Sequence, residues 1–391
     1  MESIRDVDVE GKRVLMRVDF NVPISDGTVT DDKRIRAALP TIEHLVGKGA
    51  RLVLMSHLGR PKGEGFEEAY SVAPAARVLG RLLGAEVAVA PEVVGDAAVA
   101  ASQALQNGQV MMVENLRFDR REKKNDPEFA QELAKLGDIY VDDAFGVAHR
   151  AHASVEAVAK LLPAYAGFLL EKEVSTLQGA LDNPSHPFMA ILGGAKVSDK
   201  IALVDKMLDI VDVLIIGGGM CFTFLKAKGY EVGKSLVEEE WVERAGEMIA
   251  KAEARGTELL LPVDVVVAPE LKDDAPTSVC SVEEIPADKM GLDIGPATCE
   301  LFKQKIMGMS TIVWNGPMGV FEMKAFESGT KHVAEALAAN EKAQTIIGGG
   351  DSAAAVAKFG LEVEMTFIST GGGASMQLLE GTPLPGVVAL G

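Results

Sequence analysis

Apolar and polar positions alternate along the chain in a regular order. A short apolar run rich in β-branched residues is followed by a polar turn and then by a longer amphipathic stretch. In the first half, this order predicts strands at Arg13–Val18, Arg51–Ser56, Val110–Glu114 and Ile139–Val141, and helices at Arg34–Val46, Val72–Leu83 and Pro127–Leu136. Strands that alternate with helices and lack hairpin signals indicate βαβ units and parallel sheets.

The second half repeats this order, and its apolar runs end in glycines. The runs are ILGGAK at 191–196, IIGGGM at 215–220, IIGGGDS at 346–352 and STGGGAS at 369–375. Each precedes a predicted helix, and a glycine-rich turn between a strand and a helix lets backbone N–H groups approach an anion closely. One such turn is weak evidence, because glycines also serve tight turns. Four in one half favour a nucleotide or phosphate site.

The length of 391 residues predicts two domains, possibly three, at roughly 150 residues per domain. The segment LEKEVSTLQGAL at 170–181 reads as a single helix, and the prolines of DNPSHP at 182–187 break the pattern. We therefore place this helix between the domains, with the first domain at 1–170 and the second at 171–377. The C-terminal segment LEGTPLPGVVALG is apolar and contains proline, so we expect it to dock rather than fray.

Charge and cysteine content narrow the class of protein. With 39 basic and 57 acidic side chains the net charge is −18, which disfavours non-specific binding to nucleic acid or to a membrane surface. Hydrophobic residues make up 48%, enough to exclude disorder as the main state. An odd count of three cysteines favours a reducing cytosol over a disulfide scaffold. The charged start predicts no secretory signal, and no apolar run reaches the roughly 18 residues of a membrane span.

Basic and polar residues of the first half fall mostly where predicted strands end. They are VDFN at 18–21, Arg34, HLGR at 57–60, Arg117 and HRAH at 149–152. In an open α/β sheet this edge binds ligands. We name Arg34, Arg60, Arg117 and Arg150 the arginine cluster, and with His57 they predict a pocket for a small phosphorylated acid. The alternative is ordinary surface arginines paired with acids such as Asp19 and Asp143.

Metal, P-loop and Rossmann motifs are each incomplete. His149 and His152 lack further ligands at metal spacing. GKS at 233–235 resembles the end of a P-loop, but Lys228 stands where its first glycine is required. No GxGxxG follows the first strand, and no HRD or DFG set occurs.

The remaining candidates lie in the second half. Lys196 and Lys200 are four residues apart, which predicts one shared helix face seeking an anion. Asp351 follows three glycines, so we expect it to cap a helix and to be a candidate Mg²⁺ ligand. Glu322 either accepts ribose hydroxyls or merely ends a strand.

Several long motifs resemble one family. RVDFNVP, RIRAALPTI, SHLGRPKG, ENLRF, DAFGVAHRAHAS, GGAKVSDKI, GLDIGP, WNGPMGVFE, IGGGDS and STGGGAS occur in order between residues 17 and 376. Together they resemble phosphoglycerate kinase over nearly the whole chain. Two departures are Asp142, where the family commonly has Asn, and Cys221, where it commonly has Ala; we expect neither to touch a site residue.

The resemblance implies an α/β protein of two doubly wound parallel-sheet domains, joined by an interdomain helix and hinge, with a ligand cleft between them. Residues 1–170, with 378–391 returning to pack on them, would bind 3-phosphoglycerate or 1,3-bisphosphoglycerate. The residues implied for this substrate are Asp19, Asn21, Arg34, His57, Leu58, Gly59, Arg60, Arg117 and Arg150. Residues 171–377 would bind MgADP or MgATP through Lys196, Lys200, Gly291, Glu322, Gly349, Gly350, Asp351 and Ser352, with Asp351 on Mg²⁺. The catalytic residues implied are Arg34, Lys196, Lys200, Gly371, Gly372 and Gly373.

The sequence contains no obvious pair of a nucleophile and a general base. The chemistry of the implied reaction agrees with this. A carboxylate acceptor with a pKa of roughly 3.5 is already ionised at neutral pH. The reaction needs in-line alignment and charge neutralisation, which we expect when the domains close. The resemblance also suggests a monomer, and the cysteine content favours the cytoplasm. Two alternatives stay open: another ATP-dependent kinase of a small acid, and a non-catalytic regulator that binds phosphate or nucleotide.

Overall fold

The computed structural model describes residues Met1–Gly391 and divides into two compact units. Unit 1 comprises Met1–Thr176 and Pro383–Gly391, and unit 2 comprises Leu177–Thr382. The chain first passes between the units inside helix α5, Phe168–Asp182, which is the single helix predicted for 170–181. The division at 176/177 lies six residues beyond the one placed at 170/171.

A six-stranded parallel sheet forms the centre of unit 1. Its strands are β1 Arg13–Arg17, β4 Arg51–Met55, β5 Val87–Val89, β6 Val110–Met112, β7 Ile139–Asp142 and β8 Ala164–Ala166, and a separate hairpin is formed by β2 Ile24–Ser25 and β3 Thr28–Val29. The order across the sheet is β5-β6-β4-β1-β7-β8. The chain therefore adds β4, β5 and β6 on one side of β1, with β5 at the edge and β6 between β5 and β4, and then adds β7 and β8 on the other side. At such a reversal the loops after neighbouring strands diverge and leave room for a ligand.

The helices of unit 1 begin and end where local sequence signals occur. They are α1 Lys33–Gly47, α2 Ala73–Leu83, α3 Asp96–Ala104, α4 Pro127–Ala134 and α13 Pro385–Ala389, with the first part of α5. The Asp126 side chain accepts hydrogen bonds from the N–H groups of Glu128 and Phe129, so it caps the start of α4. Gly84 ends α2 in the left-handed conformation, with φ of 64°. The C-terminal helix belongs to this unit, and the N–H of Gly386 donates to the carbonyl of Ala148 at 2.9 Å.

Unit 2 contains a second six-stranded parallel sheet. Its strands are β9 Phe188–Leu192, β10 Val213–Ile216, β11 Glu258–Leu260, β15 Thr311–Asn315, β16 Gln344–Gly348 and β17 Phe367–Ile368. Their order is β11-β10-β9-β15-β16-β17. Counted along this sheet alone the order is 3-2-1-4-5-6, the doubly wound arrangement whose ligand edge lies where the order reverses. The reversal falls between β9 and β15.

Seven helices and a smaller sheet complete unit 2. The helices are α6 Ile201–Leu208, α7 Cys221–Ala227, α8 Val242–Arg255, α9 Pro296–Ile306, α10 Ser328–Ala339, α11 Gly350–Lys358 and α12 Gly372–Leu379. The smaller sheet is antiparallel, with β12 Asp264–Ala268 between β13 Ser278–Ser281 and β14 Met290–Ile294. Strand β14 carries a bulge, because Asp293 pairs with Val266 and Gly291 with Val267, which leaves Leu292 unpaired.

The α/β class with two doubly wound parallel sheets is confirmed, but the expectation that hairpins are absent is wrong. Asp26 and Gly27 both have positive φ, 50° and 70°, and turn the chain between β2 and β3. The Asp-Gly pair at 26–27 is a sequence typical of a hairpin turn. The antiparallel sheet of unit 2 follows loops too long to signal a hairpin. None of the helices combines the length and apolar character needed to cross a membrane.

Candidate active site

The arginine cluster of unit 1 lies at the carboxyl edge of its sheet. Strands β6, β4, β1 and β7 are neighbours, and the segments that follow them are 113–117, 56–60, 18–21 and 143–152. These segments carry most of the basic residues singled out in the sequence, and Arg34 lies in the first turn of α1 as expected. Parallel strands thus bring side chains from distant parts of the chain to one edge.

Asp19 and Asn21 fix the position of Arg34. Arg34 Nη1 donates to Asp19 Oδ2 at 3.0 Å and to the Asn21 carbonyl at 3.2 Å. The Asn21 Oδ1 accepts from the N–H of Gly59 at 2.9 Å, which ties the first loop to the second. The side chain of Arg34 stays 39% exposed, and its guanidinium has donors left for a ligand.

His57 lies among the arginines, and its surroundings favour the neutral ring. Its side chain is buried, and burial, followed by the charges of Arg17, Arg117 and Arg34, holds its pKa well below 6.5. Arg17 Nη2 lies 3.2 Å from His57 Nδ1. A guanidinium can only donate, so Nδ1 accepts and the proton of the neutral ring lies on Nε2.

Arg117 is held by the loop that it supports. Its Nη1 donates to the Gly59 carbonyl at 2.7 Å, and its buried Nε has no partner. Asn115 joins the same two segments, because its Nδ2 donates to the Leu58 carbonyl at 2.7 Å and its Oδ1 accepts from the N–H of Arg117 at 3.0 Å. Burial, followed by the nearby positive charges of Arg17 and Arg150, lowers the pKa of Arg117. A cluster of neighbouring guanidinium groups favours the binding of an anion.

Arg60 and Arg150 are exposed, and neither guanidinium pairs with a carboxylate of the protein. The alternative of arginines neutralised by Asp19 and Asp143 holds only for Arg34. Asp143 instead accepts from the N–H groups of Leu169 and Leu170 at the start of α5.

A buried network behind the cluster was missed in the sequence. Arg17 is fully buried and its Nε donates to Ser154 Oγ at 2.9 Å. Ser154 Oγ in turn donates to Glu122 Oε1 at 2.6 Å. Burial raises the pKa of Glu122, while Arg17 opposes the shift. These partners are 137 and 32 residues apart along the chain, so no local spacing signals them; the one available signal is a basic residue, Arg17, ending a buried strand.

In unit 2, glycines let three loops approach closely at the reversal of the sheet. A Cβ on Gly193 would lie 2.1 Å from the Pro317 carbonyl oxygen, and a Cβ on Gly218 would lie 2.5 Å from Gly194 N. Gly316, with φ of 97°, would place a Cβ 2.3 Å from the Gly193 carbonyl oxygen. No real Cβ tolerates such distances, so any larger residue must displace backbone.

Lys196 and Lys200 do not share a helix face, and that expectation is wrong. Helix α6 begins at Ile201, so Lys200 is its N-cap and Lys196 lies in the preceding turn. Lys200 is half-buried and its Nζ donates to Asn315 Oδ1. Burial lowers the pKa of Lys200, against the opposing charges of Asp351, Asp199 and Glu380. Lys196 is exposed.

Asp351 does not cap its helix. The N-cap of α11 is Gly349, and Asp351 lies exposed in the first turn. Ser352 is buried and its Oγ accepts from the N–H of Gly316 at 2.6 Å. The start of α12 lies beside the start of α11, since a Cβ on Gly372 would be 3.1 Å from Gly350 N. Two helix N-termini, whose first N–H groups have no partner within their own helices, therefore lie next to each other.

A cavity of about 510 Å³ opens beside these loops within unit 2. Its lining is mostly apolar, and its wall includes the bulged strand β14 with Gly291. A Cβ on Gly291 would lie 2.1 Å from the ring of Phe222, so only glycine fits there. Glu322 and Asp351 line the same cavity. Cys221, expected to touch no site residue, also lines this cavity. A planar apolar ring with a charged tail suits this combination.

Comparisons with known proteins agree with this arrangement. The family model described as phosphoglycerate kinase matches residues 4–382. The phosphoglycerate kinase of Moorella thermoacetica is 57% identical over 388 residues, and that of Dictyoglomus turgidum is 52% identical over 388 residues. In each case the match covers 99% of this chain and 98% of the relative.

Solved structures give the same result. The structure of phosphoglycerate kinase from Coxiella burnetii matches with a TM-score of 0.91 and 44% identity, over 99% of this chain and 98% of that one. The crystal structure of phosphoglycerate kinase from Pyrococcus horikoshii matches with a TM-score of 0.85 and 33% identity, over 100% of this chain and 98% of that one. Given motifs, fold and relatives that agree over almost the whole length, this chain belongs to the phosphoglycerate kinase family and is a glycolytic kinase.

Proposed function

We propose that unit 1 binds 3-phosphoglycerate or 1,3-bisphosphoglycerate, that unit 2 binds ADP or ATP, and that the phosphoryl group passes directly between them. The observation that carries this assignment is the arginine cluster. Its exposed members, Arg60 and Arg150, lack acidic partners, and the charge of Arg150 contributes to the lowered pKa of its half-buried neighbour Arg117. The guanidinium groups of the cluster repel one another, and the protein supplies few carboxylates to neutralise them. A ligand with two anionic ends would relieve this repulsion.

Within unit 1 each predicted residue has a distinct task. Arg60 and Arg150 offer free guanidinium forks to phosphate, and Arg34, held by Asp19 and Asn21, faces the reacting end. Neutral His57 donates from Nε2. Leu58 and Gly59 shape the loop, because both backbone groups of Leu58 are bonded to Asn115.

Within unit 2 backbone groups and two lysines hold the nucleotide. The N-terminal turns at Gly349, Gly350 and Ser352 and at Gly371, Gly372 and Gly373 supply N–H groups to phosphate oxygens. Lys196 and Lys200 add positive charge. The cavity beside Gly291 takes the base, and Glu322 on its rim accepts from the ribose.

A divalent cation fits this site through a single protein ligand. No group of three or more His, Cys, Asp or Glu side chains is positioned to hold a metal, and Asp351 is an exposed carboxylate whose side chain makes no capping bond. Mg²⁺ is commonly held by one or two carboxylates together with substrate phosphates, which matches this donor set. Asp351 would hold Mg²⁺, and the ion would neutralise charge on the nucleotide phosphates.

The acceptor in the ATP-consuming direction is an ionised carboxylate, so the protein supplies no base. It aligns the two substrates and neutralises the transferring group with Arg34, Lys196, Lys200 and the Gly371–Gly373 turn. Because these residues belong to two units, direct transfer requires the bound substrates to be brought together, and we propose domain closure as that step. Closure also excludes the water that would hydrolyse an acyl phosphate.

The direct test is ATP formation from ADP and 1,3-bisphosphoglycerate with and without Mg²⁺, beside a panel of other small acids with ATP in the reverse direction. We expect activity that requires Mg²⁺ and prefers 3-phosphoglycerate over the other acids. Asp351→Asn should weaken binding of MgADP and leave 3-phosphoglycerate binding intact. Equal weakening of both ligands would assign Asp351 a structural role. A preference for another acid would overturn the substrate assignment.

We further propose that the chain acts as a monomer in the cytoplasm without nucleic-acid or membrane partners. The net charge of −18 supports the last two points, since it repels polyanions and anionic lipid surfaces. Sedimentation of the active enzyme at micromolar concentration tests the monomer directly; a dimer mass would overturn it.

A further inference from the structure

The motif GKS at 233–235, which fails as a P-loop, begins a segment with an unusual set of contacts. Residues 233–238, named the strap here, are bonded at one end to the wall of the cavity and at the other end to the lysine turn at 196–200. The strap therefore joins two parts of the nucleotide site, and this inference rests on the nucleotide assignment proposed above.

The first end of the strap holds β14. Ser235 is buried, and its Oγ accepts from the N–H of Gly291 at 2.9 Å. The N–H of Lys234 donates to the Lys289 carbonyl at 2.7 Å. Gly233, with φ of 58°, fits so closely that a Cβ would lie 2.4 Å from that carbonyl oxygen. These contacts place the strap against the start of the bulged strand.

The bonds from the strap to β14 matter because this strand carries the bulge. Leu292 is the extra residue of β14 and lines the cavity, as does Gly291. At a bulge the regular ladder is interrupted, so the position of the strand depends on other bonds. The Ser235 hydroxyl supplies one at Gly291, the residue whose backbone packs on Phe222.

The second end of the strap holds the lysine turn. Glu238 accepts from the Ser198 N–H at 3.0 Å through Oε2 and from Ser198 Oγ at 2.6 Å through Oε1. Its own N–H donates to Thr223 Oγ1 on α7 at 3.2 Å. Partial burial opposes ionisation, but the bonds from Ser198 and the charge of Lys196 outweigh it and hold the pKa of Glu238 below its usual value. Ser198 lies midway between Lys196 and Lys200.

We propose that the strap positions the two halves of the nucleotide site, with Ser235 setting the base-side wall at Gly291 and Glu238 setting the turn that carries Lys196 and Lys200. Ser235 and Glu238 are positioning residues, since each acts through another group. Their loss should therefore produce different kinetic signatures. The wall affects nucleotide affinity, and the lysine turn affects the rate of transfer.

The first arm of the test is Ser235→Ala, with Ser281→Ala as the matched control, since Ser281 is an exposed residue of strand β13 whose hydroxyl accepts from the nearby N–H of Glu283. We expect the KM for ADP to rise about fivefold, the effect of one lost hydrogen bond, with kcat and the KM for 1,3-bisphosphoglycerate within twofold of the parent. Ser235→Thr keeps an acceptor and should restore the KM. Unchanged ADP kinetics in Ser235→Ala would overturn this half of the proposal.

The second arm is Glu238→Gln, with Glu239→Gln as control. Glu239 is the next residue and its carboxylate pairs with Lys226 on the surface. The amide has one acceptor oxygen where the carboxylate has two, and it removes the negative charge beside Lys196, so we expect kcat to fall about tenfold, with a smaller change in KM for ADP. A fall no larger than that of Glu239→Gln, or an equal rise in the KM for both substrates, would overturn it.

Calorimetric measurement of ADP binding to the unmodified chain distinguishes failure of the strap proposal from failure of the nucleotide assignment. If the parent binds ADP and both strap variants keep parental kinetics and thermal midpoints, the strap proposal fails while the nucleotide assignment stands. If the parent does not bind ADP, both fail.

Discussion

In the function proposed above, the two units hold phosphate groups with different parts of the chain. Unit 1 uses side chains: Arg34, Arg60, Arg117 and Arg150 reach over the edge of the sheet, backed by the buried Arg17. Unit 2 uses mostly backbone. Its loops are brought together by glycines, two helix N-termini converge, and only Lys196 and Lys200 add charge.

This difference predicts how each site should respond to single substitutions. A guanidinium at the end of a flexible side chain can be removed without moving the backbone beneath it, so losses in unit 1 should be graded. A backbone-built site depends on close approach, and a single added carbon displaces several loops at once. The predictions below probe this contrast from the largest expected effect to the smallest.

The largest effect is expected at Gly218 in unit 2. Its φ is +64°, and a Cβ would lie 2.5 Å from both Gly194 N and the Gly194 carbonyl oxygen. Gly218→Ala should cost about 3–5 kcal/mol of stability and abolish measurable ADP binding. Denaturant unfolding and calorimetry check both effects.

Gly229→Ala is the matched control for that change. Gly229 also has positive φ, +89°, but a Cβ added there would have no neighbouring atom within 4 Å. The substitution should cost only about 1 kcal/mol, the penalty of the left-handed conformation, and leave ADP binding intact. Equal costs at the two glycines would mean that backbone strain rather than loop contact matters, and the contrast between the units would lose its basis.

A smaller effect is expected at Lys200, the half-buried cation of unit 2. Lys200→Ala should lose about 2–4 kcal/mol of transition-state stabilisation, or roughly 10²–10³ in kcat, as for other single electrostatic donors. Its bond to Asn315 also ties it to the end of β15, so a modest loss of stability should accompany the loss of rate. Steady-state kinetics and thermal unfolding give the two values separately.

Lys303→Ala, which removes an exposed lysine of α9, controls for the loss of a positive charge in unit 2. It should change neither rate nor stability appreciably. Near-normal turnover in Lys200→Ala would remove Lys200 from the proposed catalytic set.

Much of the difference between the two sites can be predicted from the sequence, because both sites lie on loops after predicted strands. Alternation of apolar runs with amphipathic stretches predicts α1 as Arg34–Val46 against the observed Lys33–Gly47. The Gly-rich turns after β9, β10 and β16 are recognisable by composition alone. Parallel topology then brings such loops to one edge without any knowledge of contacts.

What escapes prediction depends on distance along the chain or on local backbone geometry. The bonds from Arg17 to Ser154 and from Ser235 to Gly291 join residues 137 and 56 positions apart. The sequence predicts that Asp351 caps α11, but Gly349 adopts φ of 90° and takes the cap position, which moves the carboxylate into the first turn. A run of three glycines does not reveal which one turns the chain.

A graded effect is expected for Arg150 in unit 1. Arg150→Ala should raise the KM for 3-phosphoglycerate about tenfold, from the loss of roughly 1.5 kcal/mol of charge-assisted bonding, without loss of stability. Arg60→Ala should behave similarly, and Arg81→Ala, at an exposed arginine of α2, should not. The penalty should shrink as salt is added, because exposed charges are screened. A collapse of the fold in Arg150→Ala would contradict the side-chain character of this site.

The smallest effect is expected from the titration of His57, although it lies among the arginines. Burial and the charge of Arg17 hold its pKa well below 6.5, so the ring should be neutral, with the proton on Nε2, at pH 7 and above. Because the folded-state pKa is lower than the unfolded one, His57 contributes stability that is present above pH 6.5 and is lost as the pH falls toward the folded value. Nitrogen NMR of labelled histidine reports tautomer and charge directly. If His57 instead protonates near pH 6.5, the cations around it must be neutralised by other groups in solution, and the uncompensated charge that distinguishes unit 1 from unit 2 would not exist.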